Sequence, residues 1–266
     1  MSEAPSQSAF PARAPHPSPT GQVLTCTESK NLLIEQWTLN EASESAGLLN
    51  GNGLNALLLV QEGSLECRHN RCGSPVRMAS GDYIVVTGAD QLHEVTGAAT
   101  VVRCLFHGDV EHERFPETRR NVGALSVSNV FADRPRIVTV CETRFVRFDV
   151  VTSLGHASPG GRECDSSSHE WLLMLKGDTV FTIEGTEYPL TAGDTIYLPP
   201  GVPNGVRDTN VESGTVWMAV FYRGAIGDFD WQPRAAEASA STDPLADGRK
   251  MSAAARRLKA FRELQG

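Results

Sequence analysis

A chain of 266 residues with 40% hydrophobic side chains carries enough apolar material for one large domain or two modest ones. Its net charge of -8 excludes a general affinity for nucleic-acid backbones, which rests on Lys and Arg neutralising phosphates. No apolar run approaches the roughly 18 residues that cross a bilayer, and the opening MSEAPSQSAFPARAPHPSPT has neither the basic start nor the apolar stretch of a secretory signal, so the expectation is a cytoplasmic protein with neither nucleic acid nor membrane as partner.

Residues 1–22 are rich in Pro, Ser and Ala and nearly devoid of large apolar side chains, so they bury too little to offset the entropy of ordering and read as a disordered tail. From there the pattern is β throughout: short runs of Val, Ile, Leu, Phe and Tyr broken by Gly, Pro, Asn and Asp. Strands are expected at 56–59, 83–86, 101–106, 144–150, 171–175, 179–183, 195–198 and 215–222. An Ala- and Ser-rich linker follows over 232–250. In 251–266, MSAAARRLKAFRELQG, the residues Leu258, Phe261 and Leu264 recur at a helical period and predict a short amphipathic helix. Its bland reading, packing on the main fold or on a second subunit, outweighs DNA or membrane contact. The six cysteines show no CxxC pair and no zinc-type spacing, and each reads as a small buried apolar side chain.

An internal repeat organises the β region. LLLVQEGSLECRHNRCGSPVRMASGDYIVVTGADQLHEV in the first half parallels WLLMLKGDTVFTIEGTEYPLTAGDTIYLPPGVPNGV in the second, each with an apolar run, a glycine (Gly63, Gly177), a hairpin, a Gly-Asp pair (Gly81-Asp82, Gly193-Asp194) and a second apolar run. A unit of this length is a duplicated domain.

At these residues the chain resembles the cupins, double-sheet jelly-roll barrels, and the duplication makes it similar to a bicupin. The resemblance implies an all-β chain of two tandem barrels, one over 23–125 and one over 126–231. The first cupin motif, HxH, four residues, E, six residues, G, lies on Glu163 to Gly177; the second, G, five residues, PxG, two residues, H, lies on Gly193 to Asn204. Spacing is kept while the histidines are replaced. Glu163 and Asp165 stand at the two motif-one histidines, Glu170 keeps the glutamate and Asn204 stands at the motif-two histidine. In the first half the equivalent positions fall on Leu49, Gly51 and Ala56, with His93 one residue past the last, so the N-terminal barrel is expected to be metal-free.

Residues two apart on a strand share a face, so in the cupin register Glu163, Asp165 and Glu170 converge and repel one another. Four reliefs are open. A hard cation such as Mg, Mn or Ca can sit among Glu163, Asp165, Glu170 and Asn204, in preference to Fe or Zn, which favour imidazole. One acid can be protonated, giving an acid/base pair. A cationic ligand can fill the cup. Or the acids splay into solvent and the cup is no site. The reading favoured is a small polar molecule acted on by isomerase- or lyase-type proton transfer, with Glu170 as base, Glu163 or Asp165 as acid and Asn204 positioning. The alternative is a non-catalytic, sensor-like or structural protein. His169 is expected to point away from Glu170, Trp171 and Trp217 to be core residues, and His107 with His112 to lack the spacing of a zinc site. Cupin barrels pair through edge strands, which implies a homodimer.

Overall fold

The computed structural model describes residues 16–18, 21–40, 54–69, 74–87, 92–110, 120–121, 135–158 and 166–224. Among the described residues every regular element is a β-strand. The first half holds β1 (His16–Ser18), β2 (Gly21–Ser29), β3 (Leu32–Leu39), β4 (Asn55–His69), β5 (Val76–Ala79), β6 (Asp82–Val86), β7 (Leu92–Thr96), β8 (Ala99–Phe106) and β9 (Arg120–Asn121). The second holds β10 (Arg136–Glu142), β11 (Val146–Ser153), β12 (His169–Lys176), β13 (Asp178–Ile183), β14 (Thr186–Thr191), β15 (Thr195–Leu198), β16 (Asn204–Thr209) and β17 (Thr215–Tyr222).

Strand order shows the duplication directly. The first half runs β2-β3-β8-β4-β6 and the second β10-β11-β17-β12-β15, the same order of equivalent strands. Opposite this wall, β5 and β7 flank the far half of β4, as β14 and β16 flank β13. The run that is one strand in the first half is two in the second because the chain turns between walls at a glycine with positive φ, Gly63 (79°) or Gly177 (73°). Each glycine lies against a backbone carbonyl, that of Ala98 or Gly214, where a Cβ would collide.

The repeated Gly-Asp pair also has a local cause. Asp82 accepts the Ala79 amide at 2.8 Å, and Asp194 accepts the Thr191 amide at 2.7 Å, closing the same tight turn in both halves. A third repeat escaped the sequence reading. Ser29 accepts the amide of Leu32 at 3.1 Å and Thr143 that of Val146 at 3.1 Å, so a hydroxyl starts the equivalent strands β3 and β11. That turn is why β11 begins at Val146 and not at Arg144.

Three apolar cores follow from strands buried on both faces. One fills the first barrel, around Trp37, Leu58, Val60, Met78 and Val101. One fills the second, around Leu172, Met174, Phe181, Val206, Trp217 and Phe221. The third joins them: Ile34, Leu57, Leu59 and Phe106 meet Phe148, Trp171, Leu173, Val220 and Tyr222, so the two five-strand walls lie back to back. The contact is reciprocal, with Gly108 against Thr143 and Phe145 and the equivalent Gly224 against Asn31. Each large side chain buried there contributes about 1.5–3 kcal/mol, which ties the barrels into one structure.

Trp171 and Trp217 are core residues as expected. Cys67, Cys104 and Cys141 are buried and Cys26 is half-buried, all as free thiols, and burial pushes the Cys26 thiol up to about 12. Strand pairing starts earlier than expected: β1 pairs with β2 inside the 1–22 segment read as a tail. The expected linker 232–250 and helix 251–266 lie outside the described residues, as do Cys72, His112, Glu163, Cys164 and Asp165.

Candidate functional site

Cross-strand partners project to the same face of a sheet, so register fixes the cup lining of the second barrel. One row reads Glu142, Arg147, Phe221, Glu170 and Leu198 across β10, β11, β17, β12 and β15. The next row reads Thr139, Asp149, Ala219, Leu172 and Ile196. Leu172, Leu198, Ala219 and Phe221 belong to the barrel core, so these rows face the cup. From the facing wall Asn204 lies two residues before the core residue Val206 on β16 and projects with it.

Glu170 is 2% exposed and Asn204 1%. Two of the four predicted site residues are therefore buried in one cup. Asn204 is oriented by donating from Nδ2 to the Val202 carbonyl at 3.1 Å, within the Pro-rich turn that precedes β16. Ser158 and Ser166, on either side of 159–165, are both bonded to this hairpin: Ser158 N–H donates to Val206 O at 2.6 Å, and Gly201 N–H donates to Ser166 O at 2.7 Å.

His169 points the other way, as its odd position on the strand predicts. It stacks on Tyr222 and Tyr197 with ring centroids 5.0 and 5.9 Å away, and its Nδ1 lies 2.6 Å from the Tyr197 hydroxyl. Burial pulls its pKa below the usual histidine value. Tyr222 in turn meets Thr27 of the first barrel at 2.9 Å, which makes His169 part of the seam between barrels.

The sequence reading missed Arg147 and Asp149. The Arg147 guanidinium carbon lies 4.7 Å from the Phe221 ring centroid, and its Nε is 3.3 Å from Asp149 Oδ2. Asp149 is 1% exposed and accepts from the Thr139 hydroxyl at 2.8 Å. Burial raises its pKa, against the opposing pull of Arg147 and the Thr139 bond. A signal was there: RFDV places a cation and an acid two apart on a strand whose other residues through Val151 are apolar, and a strand buried on both faces has no solvent side for them.

Arg147 changes the electrostatic question. Two strand spacings, about 10 Å, separate its backbone from that of Glu170, so the two opposite charges attract by on the order of 2 kcal/mol at an intermediate dielectric. The chain thus supplies a counter-charge for its acids, a relief not among the four considered from sequence. The same charge opposes a divalent cation by about twice that amount. Among the described residues no group of three or more His, Cys, Asp and Glu side chains could hold a metal ion. Glu163 and Asp165, two of the four residues expected to hold a cation, lie outside the described residues.

The first cup is built differently at the same level. Leu33, Leu105 and Ala56 occupy the register positions of Arg147, Phe221 and Glu170, and pack with Leu54 into a small apolar cluster. One row deeper Arg103 donates from Nε to Glu35 Oε2 at 3.0 Å and closely again from Nη2. Trp37 Nε1 donates to the same oxygen at 3.0 Å, and the Arg103 guanidinium lies 4.6 Å from the Trp37 ring centroid.

This architecture is the cupin fold. Residues 153–221 match the cupin domain model, and the described residues form two barrels of that fold. It is similar to a cupin 2 conserved barrel domain protein from Leptotrichia buccalis, with TM-score 0.60 and 10% identity over 82% of this chain and 100% of that one. It also resembles a point mutant of salicylate 1,2-dioxygenase from Pseudoaminobacter salicylatoxidans, with TM-score 0.51 and 13% identity over 73% and 71%. The protein Ylba from E. coli matches with TM-score 0.51 and 10% identity over 82% and 97%. At these identities the likeness is one of fold. No curated protein sequence matches the chain. No helix among the described residues is long and apolar enough to cross a membrane.

Proposed function

We propose that the C-terminal cup binds a small polar molecule and moves a proton on it, in isomerase- or lyase-type chemistry carried by carboxylates. The observation behind this is Glu170: a carboxylate 2% exposed, set in a cup wall between Leu198 and Phe221, with Asn204 on the facing wall. A carboxylate with little water around it is a stronger base toward a bound C–H or O–H than one in solvent. Glu170 takes the proton. Glu163 or Asp165, ahead of it at the motif spacing, returns one, and Asn204 orients the substrate by hydrogen bonding. Asp149 holds Arg147 and is not one of the groups that exchange a proton with the substrate. Divalent metal at Glu163, Asp165, Glu170 and Asn204 is the competing reading, favoured by the kept cupin spacing; a non-catalytic ligand-binding cup is the other.

The test is isotope exchange. Incubation in deuterium oxide with a mixture of small hydroxy acids, keto acids and sugars, followed by NMR, should show deuterium entering one carbon of one compound. Glu170→Gln should slow this at least about a hundredfold, the lower range for a positioned acid/base group, with an unchanged melting temperature. Exchange that persists after chelation supports the carboxylate mechanism. Exchange lost on chelation and restored by Mg, Mn or Ca supports the metal reading, and a bound compound with no exchange supports the sensor-like one.

A further inference from the structure

We propose that the C-terminal cup takes an anionic small molecule and holds its carboxylate on the guanidinium fork of Arg147. The proposal rests on the reading of this cup as the ligand site and names the class of ligand.

Two arginines, Arg103 in the first barrel and Arg147 in the second, stand in the cup-facing rows. In the first barrel Arg103 is 3% exposed and bonds Glu35 through two nitrogens, with Trp37 covering one face. Its charge is consumed by a partner on the neighbouring strand. In the second barrel the equivalent acid, Asp149, lies on the same strand as its arginine and reaches only the Nε edge, at 3.3 Å. Ala219 occupies the register position of Arg103, so nothing else on β17 competes for that acid. Among the described residues Arg147 Nε is buried without a hydrogen-bond partner, with Asp149 at ion-pair distance only. The side chain is 14% exposed, so the guanidinium sits in the cup wall with little bulk water around it.

An arginine so placed is preorganised. Phe221 supports the guanidinium plane, Asp149 lies at ion-pair distance from the Nε edge, and Thr139 fixes Asp149. What is left is a planar pair of donors directed into the cup, whose geometry matches the two oxygens of a carboxylate. Glu170, beyond Phe221 in the same row, sets the other side of the requirement. A second anionic group would meet repulsion there, whereas a C–H or O–H next to the bound carboxylate would lie toward the base. The ligand expected is a small carboxylate with a neutral polar portion. A cationic amine, one of the reliefs open from the sequence, would face Arg147.

Ligand-observed NMR and thermal shift on the full chain test this with matched probes: malonate, succinate and lactate, the neutral malonamide, succinamide and lactamide, and the cationic propanediamine and butanediamine. At least one carboxylate, lactate foremost, should bind at least tenfold more tightly than its amide, and neither diamine should bind. Arg147→Gln should remove that preference, and Arg147→Lys should restore part of it, since a point charge keeps the attraction without the fork. Glu170→Gln should leave carboxylate binding intact or tighter. The melting temperature without ligand, measured for each variant, separates lost binding from lost folding. Amides or diamines binding as well as carboxylates, or carboxylate binding unchanged in Arg147→Gln, would overturn the proposal and leave the cup as a site of another class. If no probe binds and no isotope exchange occurs, the reading of the cup fails and the proposal falls with it.

Discussion

The two barrels share strand order, corner glycines and turn chemistry, yet their cups differ in what each row does with charge. In the first, the row holding Ala56 is apolar, and the buried Arg103 is matched by Glu35 and Trp37. In the second, the row holding Glu170 also carries Arg147, whose acid partner reaches it only at one edge. A buried ion pair that saturates both members is a structural element; one that leaves donors over is a site. The duplication therefore acts as an internal control, with one copy showing how the fold is stabilised and the other how it is opened to chemistry.

The sharpest way to break this contrast is Arg103→Met. Glu35 would remain buried without its cation, and the expected loss is about 3–5 kcal/mol in urea unfolding. The double variant Glu35→Met with Arg103→Met should recover most of it, whereas Arg147→Met should cost markedly less because Asp149 can take a proton. An equal cost for the two single arginine variants would contradict the division into a structural and a functional pair.

The likeness between barrels is tested at the corners. Gly63→Ala and Gly177→Ala each force a side chain into a positive-φ position facing a carbonyl oxygen. Each should lose about 2 kcal/mol or more. Both should lower the same single unfolding transition, since the barrels share a core. Separate transitions would mean that the barrels unfold independently.

The seam gives a smaller effect. Tyr222→Phe removes the hydroxyl that meets Thr27 across the barrels and should cost about 1 kcal/mol, read by thermal or urea unfolding.

The last effect is spread over pH. Because burial raises the Asp149 pKa, the native state holds more protons than the unfolded chain between the unfolded value, about 4, and the higher folded one. Stability contributed by this group is therefore present below pH 4 and falls as pH rises through that window. Asp149→Asn should flatten the decline, as measured by urea unfolding at stepped pH. A steeper decline in the variant would show that the carboxylate is favoured in its charged form.

Much of this was legible in the sequence because it is local. Alternation along β12 sends Glu170 to the cup and His169 to the seam, whatever the rest of the chain does. The Gly-Asp and Pro-rich turns carry their own geometry, and the repeat announced two barrels. Ala56 was located opposite Glu170's position by counting from Gly63, and the register confirms that placement. What escaped were the residues whose meaning depends on a neighbour: Arg147 and Asp149 sit in a run that reads as one more strand, and Glu35 and Arg103 are 68 positions apart.

The sequence by itself determined the all-β class, the duplication and the faces on which single side chains lie, since these follow from a period of two and from turns of a few residues. Only the tertiary structure decided which charges meet. β17, more than 40 positions beyond Glu170, lies between β11 and β12 and brings Arg147 into Glu170's row. Electrostatic interaction depends on distance through space and on the water excluded along it, and neither quantity is written in the order of residues.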